Sequence, residues 1–214
     1  MSEHLPFLLT FYLAFMAGVL SPGPNILSII GASMGTSRRA GVLVACGVST
    51  GTIVWSSLAV TGVTALMASY APIATALRIA GGAYLLWLAY GFVRKAASPT
   101  GVTVDARSAE GSALGWYFRG LAVQLTNPKA VLSWLALVAI VAKPDAPLWV
   151  SLAMVGGCTT IALVAHVGWA LLFSTRRVVA AYDRAAVVVN GTLATLFGAI
   201  GAALLWDGIG EARS

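Results

Sequence analysis

The chain alternates between long apolar runs and short polar connections. The six runs cover residues 6–34, 41–67, 73–93, 116–142, 148–173 and 185–206. A hydrocarbon core about 30 Å thick requires roughly 20 apolar residues per helix, so each run is long enough to cross a bilayer once. The pattern predicts six membrane-spanning helices and leaves too few residues for a separate soluble domain.

Two of the six runs are interrupted where a helix would cross the membrane. The first contains SPGPN at residues 21–25, and the fourth contains TNPK at residues 126–129. Proline removes a backbone donor and clashes with the preceding turn, and glycine adds an entropic cost. Because unpaired backbone groups are costly in lipid, such breaks are tolerated only inside protein or beside water. We therefore predict that helices 1 and 4 each consist of two half-helices joined by a functional elbow.

The two halves of the chain resemble each other. GAYLLW at residues 82–87 is matched by GAALLW at residues 201–206, and runs one and four carry the two breaks. Each half has an odd number of spans, so the second must insert upside down relative to the first. The predicted fold is an all-α integral membrane protein with six transmembrane helices in two inverted three-helix repeats. We expect one membrane domain over residues 1–214, with repeat 1 at about 6–93, a cytoplasmic loop at about 94–115 and repeat 2 at about 116–207.

Two local patterns refine this arrangement. GVSTG at residues 47–51 places two glycines four positions apart, which lets another helix approach run two closely. Residues 176–184, between runs five and six, carry several charged side chains and are predicted to form a connection.

Composition supports the membrane assignment. Hydrophobic residues make up 59% of the 214 residues and charged residues only 9%, whereas a soluble domain is about a quarter charged. The mean hydropathy is +0.89. The net charge of +6 would suggest nucleic acid as the partner of a soluble protein, but here the basic residues flank the spans and no nucleic-acid role is expected.

The basic residues also predict an orientation. Most lie in the connections one-two, three-four and five-six, which share one side of the membrane if all six runs span it. Such loops are cytoplasmic by the positive-inside rule, so both termini are expected on the outer side. The residues concerned are Arg38, Arg39, Arg94, Lys95, Arg107, Arg176, Arg177 and Arg184.

The two elbows are the predicted substrate site. In an inverted pair, two half-helix N-termini approach the centre from opposite sides and offer free N–H groups. A lysine in mid-membrane costs about 3 kcal/mol, which favours a function for Lys129 as the counter-ion of a carboxylate. Alternatively, Lys129 caps its own half-helix or pairs with backbone carbonyls of the first elbow. The candidate substrate-binding residues are Pro22, Gly23, Pro24, Asn25, Thr126, Asn127, Pro128 and Lys129.

His166 and two cysteines are the other chemically distinctive groups within the runs. An imidazole titrates near neutral pH in water, so His166 is a candidate proton relay, although a lone histidine in an apolar run is more often a hydrogen-bonded core residue. Cys46 and Cys158 lack a CxxC partner and are interpreted as small buried thiols. No Asp or Glu lies deep in any run, so proton coupling would need His166, Lys129 or the substrate itself.

Several motifs together resemble the LysE/RhtB family of bacterial amino-acid exporters. They are SPGPN at residues 21–25, GTSRRAG at 35–41, GVSTG at 47–51, AGGAYL at 80–85, FRGL at 118–121 and TNPKA at 126–130. The resemblance covers essentially the whole chain. It implies a multi-pass carrier of the bacterial cytoplasmic membrane that exports amino acids or close derivatives, driven by the proton gradient. Several relatives carry an acidic residue where this chain has Thr52, which argues against a basic substrate and leaves the proton site open.

Other functions are less well supported by the residues. Export of another small solute such as a metal ion is the nearest alternative, but carboxylates and clustered thiols are scarce in the runs. A membrane thiol-redox carrier is a further alternative, with Cys46 and Cys158 away from the elbows. No hydrolase motif is present, so an enzyme is not expected, nor is a cofactor or metal site. The expected partners are an amino-acid substrate and membrane lipid; a homo-oligomer is left open.

Overall fold

The regular structure is α-helical. The computed structural model describes residues 5–21, 23–63, 71–98, 111–141 and 147–213, and within these ranges there are eight α-helices and no strand. The helices are α1 (Leu5–Leu20), α2 (Pro24–Gly35), α3 (Arg38–Leu58), α4 (Ala71–Ala97), α5 (Ala113–Thr126), α6 (Pro128–Val141), α7 (Leu148–Leu172) and α8 (Arg176–Arg213). A π-helical turn, Ala59–Val63, extends α3. The predicted all-α class is confirmed.

Several of these helices are long and apolar enough to cross a membrane. Over the described ranges, four such segments are Arg38–Thr61, Thr75–Ala97, Leu148–Leu172 and Arg184–Ala212. Helices α1 and α2 make a fifth if they form one span bent by 46°. Helices α5 and α6 have 14 residues each, about 21 Å of helix, and neither crosses alone. The prediction of a multi-span protein is confirmed with four or five spans, and a sixth requires α5 and α6 to act together.

Both predicted breaks are present. Helix α1 ends at Leu20 and α2 begins at Pro24, while α5 ends at Thr126 and α6 begins at Pro128. Proline suits the first position of each second half-helix because its missing N–H would have no partner there. Residues 21–23 are called the first elbow and Asn127 the second elbow. Pro22 lies outside the described residues.

The predicted connection at residues 176–184 is wrong, because α8 already begins at Arg176. No glycine or proline follows to stop a helix over these residues. Tyr182 also anchors this first part of α8, with its ring centroid 5.5 Å from that of Trp169 and 5.4 Å from that of Phe173. The break between α7 and α8 is only residues 173–175. Of the predicted 94–115 loop, residues 99–110 lie outside the described ranges.

The close helix approach predicted from GVSTG is confirmed. A methyl group on Gly47 would collide with the backbone oxygen of Tyr117 on α5, and one on Gly51 would lie 2.6 Å from Cγ of Gln124. Gly120 on α5 faces the Val44 carbonyl in the same way. The contact brings α5, and with it the second elbow, against the middle of α3.

The helices pack in two groups. In the first group, α3 packs against α2, α5 and α7; in the second, α4 packs against α6 and α8. Helix α1 contacts α6, α7 and α8 and so lies between the groups. The second elbow joins α5 of the first group to α6 of the second, and the first elbow joins α1 to α2. Both elbows therefore lie where the two groups meet.

Candidate functional site

A cavity of about 70 Å³ lies between the two elbows. This is several times the volume of about 10–15 Å³ that one water molecule requires. Each of the eight helices contributes to its wall. The lining residues are Ala14, Phe15, Gly18, Val19, Ser21, Gly23, Asn25, Ile26, Thr52, Leu85, Gln124, Asn127, Lys129, Ala130, Ser133, Trp134, Leu137, His166 and Phe197.

The lining combines one ammonium group with neutral polar groups and an apolar wall. Within the described residues, no Asp or Glu lines the cavity. The apolar wall consists mainly of aromatic and leucine side chains, with Phe15, Trp134 and Phe197 as the largest. Four of the polar lining residues lie in the elbows or in the first turn of the helices that follow them, namely Ser21, Asn25, Asn127 and Lys129.

Lys129 reaches across the cavity to the first elbow. Its Nζ donates to Oγ of Ser21 at 2.6 Å and to the backbone oxygen of Ser21 at 3.2 Å. Ser21 follows the last residue of α1, where helix carbonyls lack intrahelical partners and the helix dipole favours a cation. This is the contact that the alternative hypothesis for Lys129 expected, with carbonyls of the first elbow.

Gly23 lets Lys129 come this close. A Cβ atom at Gly23 would lie 3.3 Å from both Cδ and Nζ of Lys129. The same glycine is the N-cap of α2 and offers no side chain to the free N–H groups of that helix. The ammonium and an open helix N-terminus thus meet at Gly23, two positive features that both attract an anion.

A directional chain of hydrogen bonds ties the second elbow to α3. Asn127 Nδ2 donates to Asn25 Oδ1 at 3.1 Å, and Asn25 Nδ2 donates to Gln124 Oε1 at 2.5 Å. Gln124 Nε2 then donates to Thr52 Oγ1 at 3.2 Å, and the Thr52 hydroxyl donates to the Val48 carbonyl at 3.2 Å. Two buried amides (Gln124 and Asn127), the half-buried amide of Asn25 and the buried Thr52 hydroxyl therefore satisfy one another beside the cavity, as buried polar groups must.

The second elbow caps its own half-helix. Asn127 is extended (φ −73°, ψ 111°), and its Oδ1 accepts the backbone N–H of Lys129 at 3.0 Å. Tyr84 on α4 donates its hydroxyl to the backbone oxygen of Lys129 at 3.2 Å. These contacts fix the first turn of α6 and with it the direction in which the Lys129 side chain leaves the backbone.

The structure brings four of the predicted substrate-binding residues together at the cavity and leaves three outside it. Gly23, Asn25, Asn127 and Lys129 line it. Pro24 and Pro128 are exposed first residues of their helices. Thr126 is also exposed, and its hydroxyl donates to the Ala122 carbonyl of its own helix at 2.8 Å. The eighth, Pro22, lies outside the described residues.

His166 lines the cavity from α7 and is 2% exposed. Its Nδ1 lies 3.5 Å from Oγ of Ser49, whose hydroxyl also donates to the Ala45 carbonyl. The cysteines are elsewhere: Cys158 is buried, Cys46 is half-buried, both are free, and neither lines the cavity.

Two residues of the site were missed by sequence reasoning as binding candidates. Gln124 is 4% exposed and links Asn25 to Thr52. It lies three residues before Asn127, close to one helical turn, so its position on the elbow face was readable in principle. Ser21 was recognised only as part of the break, because its contact with Lys129 spans 108 positions of sequence.

Comparison with known proteins identifies the family of the chain. A family model described as LysE type translocator matches residues 16–208. The chain belongs to the LysE type translocator family. The sequence-based resemblance to LysE/RhtB proteins is thereby confirmed, and the protein is a multi-pass membrane transporter of this family.

Individual relatives match this LysE type translocator over most or part of its length. It is 29% identical to an uncharacterized membrane protein, YahN, of Escherichia coli (strain K12), over 91% of this chain and 87% of the relative. It is 25% identical to a threonine efflux protein of the same strain, over 92% and 96%. A leucine efflux protein of Klebsiella pneumoniae is 31% identical over 58% of this chain and 60% of the relative. No solved structure matches the sequence.

Proposed function

We propose that this LysE type translocator exports amino acids or close derivatives from the cytoplasm by alternating access, driven by the proton gradient. The cavity carries the proposal, because one ammonium and several side-chain amides line a cavity at which all eight helices meet. A zwitterion needs a cation for its carboxylate and oxygen atoms for its ammonium, and both are present there. The relatives named for threonine and leucine efflux support an amino acid as the solute.

The substrate carboxylate is assigned to the gap between Lys129 and the N-terminus of α2. Both groups meet at Gly23, and both favour a negative charge. A charge-assisted hydrogen bond from an ammonium to a carboxylate is about twice as strong as a neutral one, so the carboxylate competes well with the present acceptors of Lys129.

The remaining groups of the substrate face the amide chain and the apolar wall. Oxygen atoms of Asn25, Gln124 and Thr52 are acceptors within reach of a substrate ammonium beside the elbows. The side chain then lies against rings such as Phe15 and Trp134. No carboxylate in the described lining would pair with a second positive charge, which favours neutral amino acids over basic ones.

Reciprocal glycine contacts support the proposed inverted repeat. A Cβ on Gly82 would lie 2.8 Å from the Gly201 oxygen, and one on Gly201 would lie 2.9 Å from the Gly82 oxygen. These glycines begin the two matched segments of α4 and α8. Elsewhere, Gly47 on α3 faces the Tyr117 backbone on α5, and Gly157 on α7 faces the Tyr12 ring on α1. Gly47 and Gly157 both belong to the second run of their own repeat, and each contacts the first half-helix of the other repeat.

Contacts towards the ends of α4 and α8 also fit the proposed inverted repeat. Keeping the register of the two glycines, Arg78 corresponds to Phe197 and Phe92 to Glu211. Phe92 and Phe197 stack with ring centroids 5.7 Å apart, and Arg78 forms an ion pair with Glu211. The proposed two-fold axis would superimpose the Phe92–Phe197 contact on the Arg78–Glu211 contact. Equivalent positions of α4 and α8 therefore contact each other at both ends of this helix pair. One end is apolar and the other ionic.

Alternating access follows from the two helix groups. A rotation of the group α4, α6 and α8 against the group α2, α3, α5 and α7 would bend at the elbows and open the cavity to one side at a time. The amide chain and the Lys129–Ser21 contact lie at this hinge. The basic helix ends at Arg38, Arg39, Arg94 and Lys95 mark the cytoplasmic face, with both termini outside, in a bacterial inner membrane.

Proton coupling is assigned to the cavity as well. His166 and Lys129 are the titratable groups among its described lining residues. His166 is close to Ser49 and can exchange a proton with a substrate or water in the cavity. Because His166 has no acidic neighbour in the described lining, the protonation of its imidazole would depend on the substrate or water in the cavity.

A flux assay tests the proposal. Bacteria loaded with a threonine- or leucine-containing dipeptide hydrolyse it, and expression of the protein should accelerate release of the free amino acid. A protonophore should abolish that acceleration. A matched strain carrying the empty vector is the control, and comparison of all exported metabolites identifies the substrate. Equal release of every amino acid with and without the protein would contradict the proposal.

A further inference from the structure

The ammonium of Lys129 already has hydrogen-bond partners in the structure. An ammonium has three donors, and in the structure two of them go to Ser21, to Oγ at 2.6 Å and to the backbone oxygen at 3.2 Å. Ser21 is 2% exposed and lines the cavity. A substrate carboxylate that takes up two of the three donors must therefore replace at least one contact to a buried residue.

The two partners of Lys129 differ in charge. Ser21 offers a hydroxyl and a carbonyl dipole at the end of α1, whereas a carboxylate offers a full negative charge. Ser21 is thus strong enough to hold the ammonium but weaker than the substrate. An ammonium without either partner would be a charge inside the cavity with only water to hold it, which is costly.

Resting on the proposed function, we propose that Ser21 is a positioning residue that holds the Lys129 ammonium whenever the substrate carboxylate does not. The exchange lets the carrier return without substrate and without a bare charge at its centre. Because Ser21 directly follows α1, this exchange of partners also changes the contacts of the first elbow when the substrate binds. Ser21 therefore competes with the substrate and supports the return step.

This role predicts opposite effects of one substitution. Ser21→Ala removes the closer acceptor from the unloaded carrier and leaves the carboxylate contact intact. The apparent KM should fall, and the return of the unloaded carrier should slow. A hydrogen bond to a charged group corresponds to roughly a tenfold effect. Net efflux requires the return step, but exchange of internal for external substrate does not.

The experiment uses the full chain in proteoliposomes with radiolabelled threonine, and leucine as a second probe. For Ser21→Ala we expect net efflux to fall roughly tenfold, exchange at saturating substrate to stay within about twofold, and the KM for exchange to fall. Ser21→Thr keeps the hydroxyl and should restore the ratio of net efflux to exchange. Ser28→Ala is the matched control, because Oγ of Ser28 is buried without a hydrogen-bond partner.

A second readout follows the contact itself, without transport. A small amine-acylating reagent, with peptide mass spectrometry, should modify Lys129 several-fold faster in Ser21→Ala than in the wild type or Ser28→Ala. Should Ser21→Ala not accumulate, Ser21→Cys replaces it, since a thiol is a weak acceptor.

The outcomes separate this inference from the proposed function. Net efflux and exchange reduced by one common factor, or unchanged acylation of Lys129, would overturn the role of Ser21 while leaving amino-acid export standing. A wild-type protein that moves neither threonine nor leucine nor any other amino acid would refute the proposed function, and the inference with it.

Discussion

The two elbows each interrupt an apolar run but are built differently. The first elbow spans residues 21–23, its α2 N-terminus has no side-chain cap, and its Ser21 carbonyl and hydroxyl face Lys129. The second elbow is the single residue Asn127, which caps α6 with its own Oδ1. One elbow therefore presents open backbone groups, and the other presents a fixed cation. Neither is a complete zwitterion site, and the proposed substrate site exists only where the two face each other.

The difference comes from a few residues. Glycine at position 23 has no side chain with which to cap α2, and it leaves room for the lysine stem. Asparagine at position 127 both caps α6 and donates to Asn25 across the gap. The two elbows are thus coupled by two contacts, the hydrogen bonds of the Lys129 ammonium to Ser21 and the amide chain. The following substitutions remove these couplings one at a time.

Removing the cation should have the largest effect. Lys129→Met keeps the length of the side chain but deprives the substrate carboxylate of its counter-charge. Truncating one partner of a buried ionic contact costs about 2–5 kcal/mol, so we expect kcat/KM for efflux to fall at least about thirtyfold. Initial rates in proteoliposomes measure it. Lys95→Met is the matched control, because Lys95 is exposed near Phe92 on α4. Efflux unaffected by Lys129→Met would refute the counter-ion role.

Breaking the amide chain should affect folding as well as transport. Asn25→Leu leaves a donor of Asn127 and an acceptor of Gln124 without partners. A stranded buried polar group costs about 1–3 kcal/mol, so the unfolding midpoint in detergent should fall. Asn190→Leu is the control: this buried amide bonds only the Ala186 carbonyl of its own helix, and its Oδ1 has no partner. Similar midpoints for the two variants would show that the chain does not stabilise the elbows.

The elbows also separate what the sequence could predict from what it could not. Their existence and positions were predictable, because proline and glycine act on the local backbone and apolar length is a local property. The contact of Lys129 with the first elbow was predictable only as one of two alternatives, and the Ser21 hydroxyl as its nearer acceptor was not predictable, since it lies 108 positions away and depends on how the two helix groups pack. Gln124 was missed because one neutral amide in an apolar run gives little local signal of its partners. The helical start of α8 was missed because charged residues were interpreted as a loop, whereas this segment is helical and its Tyr182 ring contacts Trp169 of α7.

Crowding the first elbow should have a smaller effect. A methyl group in Gly23→Ala would lie 3.3 Å from Nζ of Lys129, so the lysine must shift by a few tenths of an ångström. The backbone there is extended (φ −164°, ψ −174°) and accepts alanine, so crowding and the poorer N-cap preference of alanine are the causes of any effect. We expect the KM for efflux to rise roughly threefold, about 0.6 kcal/mol, with little change in stability. Gly156→Ala on α7, where a Cβ meets nothing within 4 Å, is the control.

The smallest effect is expected at a threonine beside the second elbow. Thr126 is exposed and its hydroxyl bonds its own helix, so Thr126→Val should leave the kcat and KM of efflux within about twofold of wild type. Thr52→Val removes the hydroxyl that accepts from Gln124 at the far end of the amide chain and should lower kcat/KM several-fold. The pair is matched in chemistry and differs in whether the hydroxyl faces the cavity. A larger loss from Thr126→Val than from Thr52→Val would mean that the substrate path runs along the outer side of the second elbow, and the assignment of the cavity as the binding site would then fail.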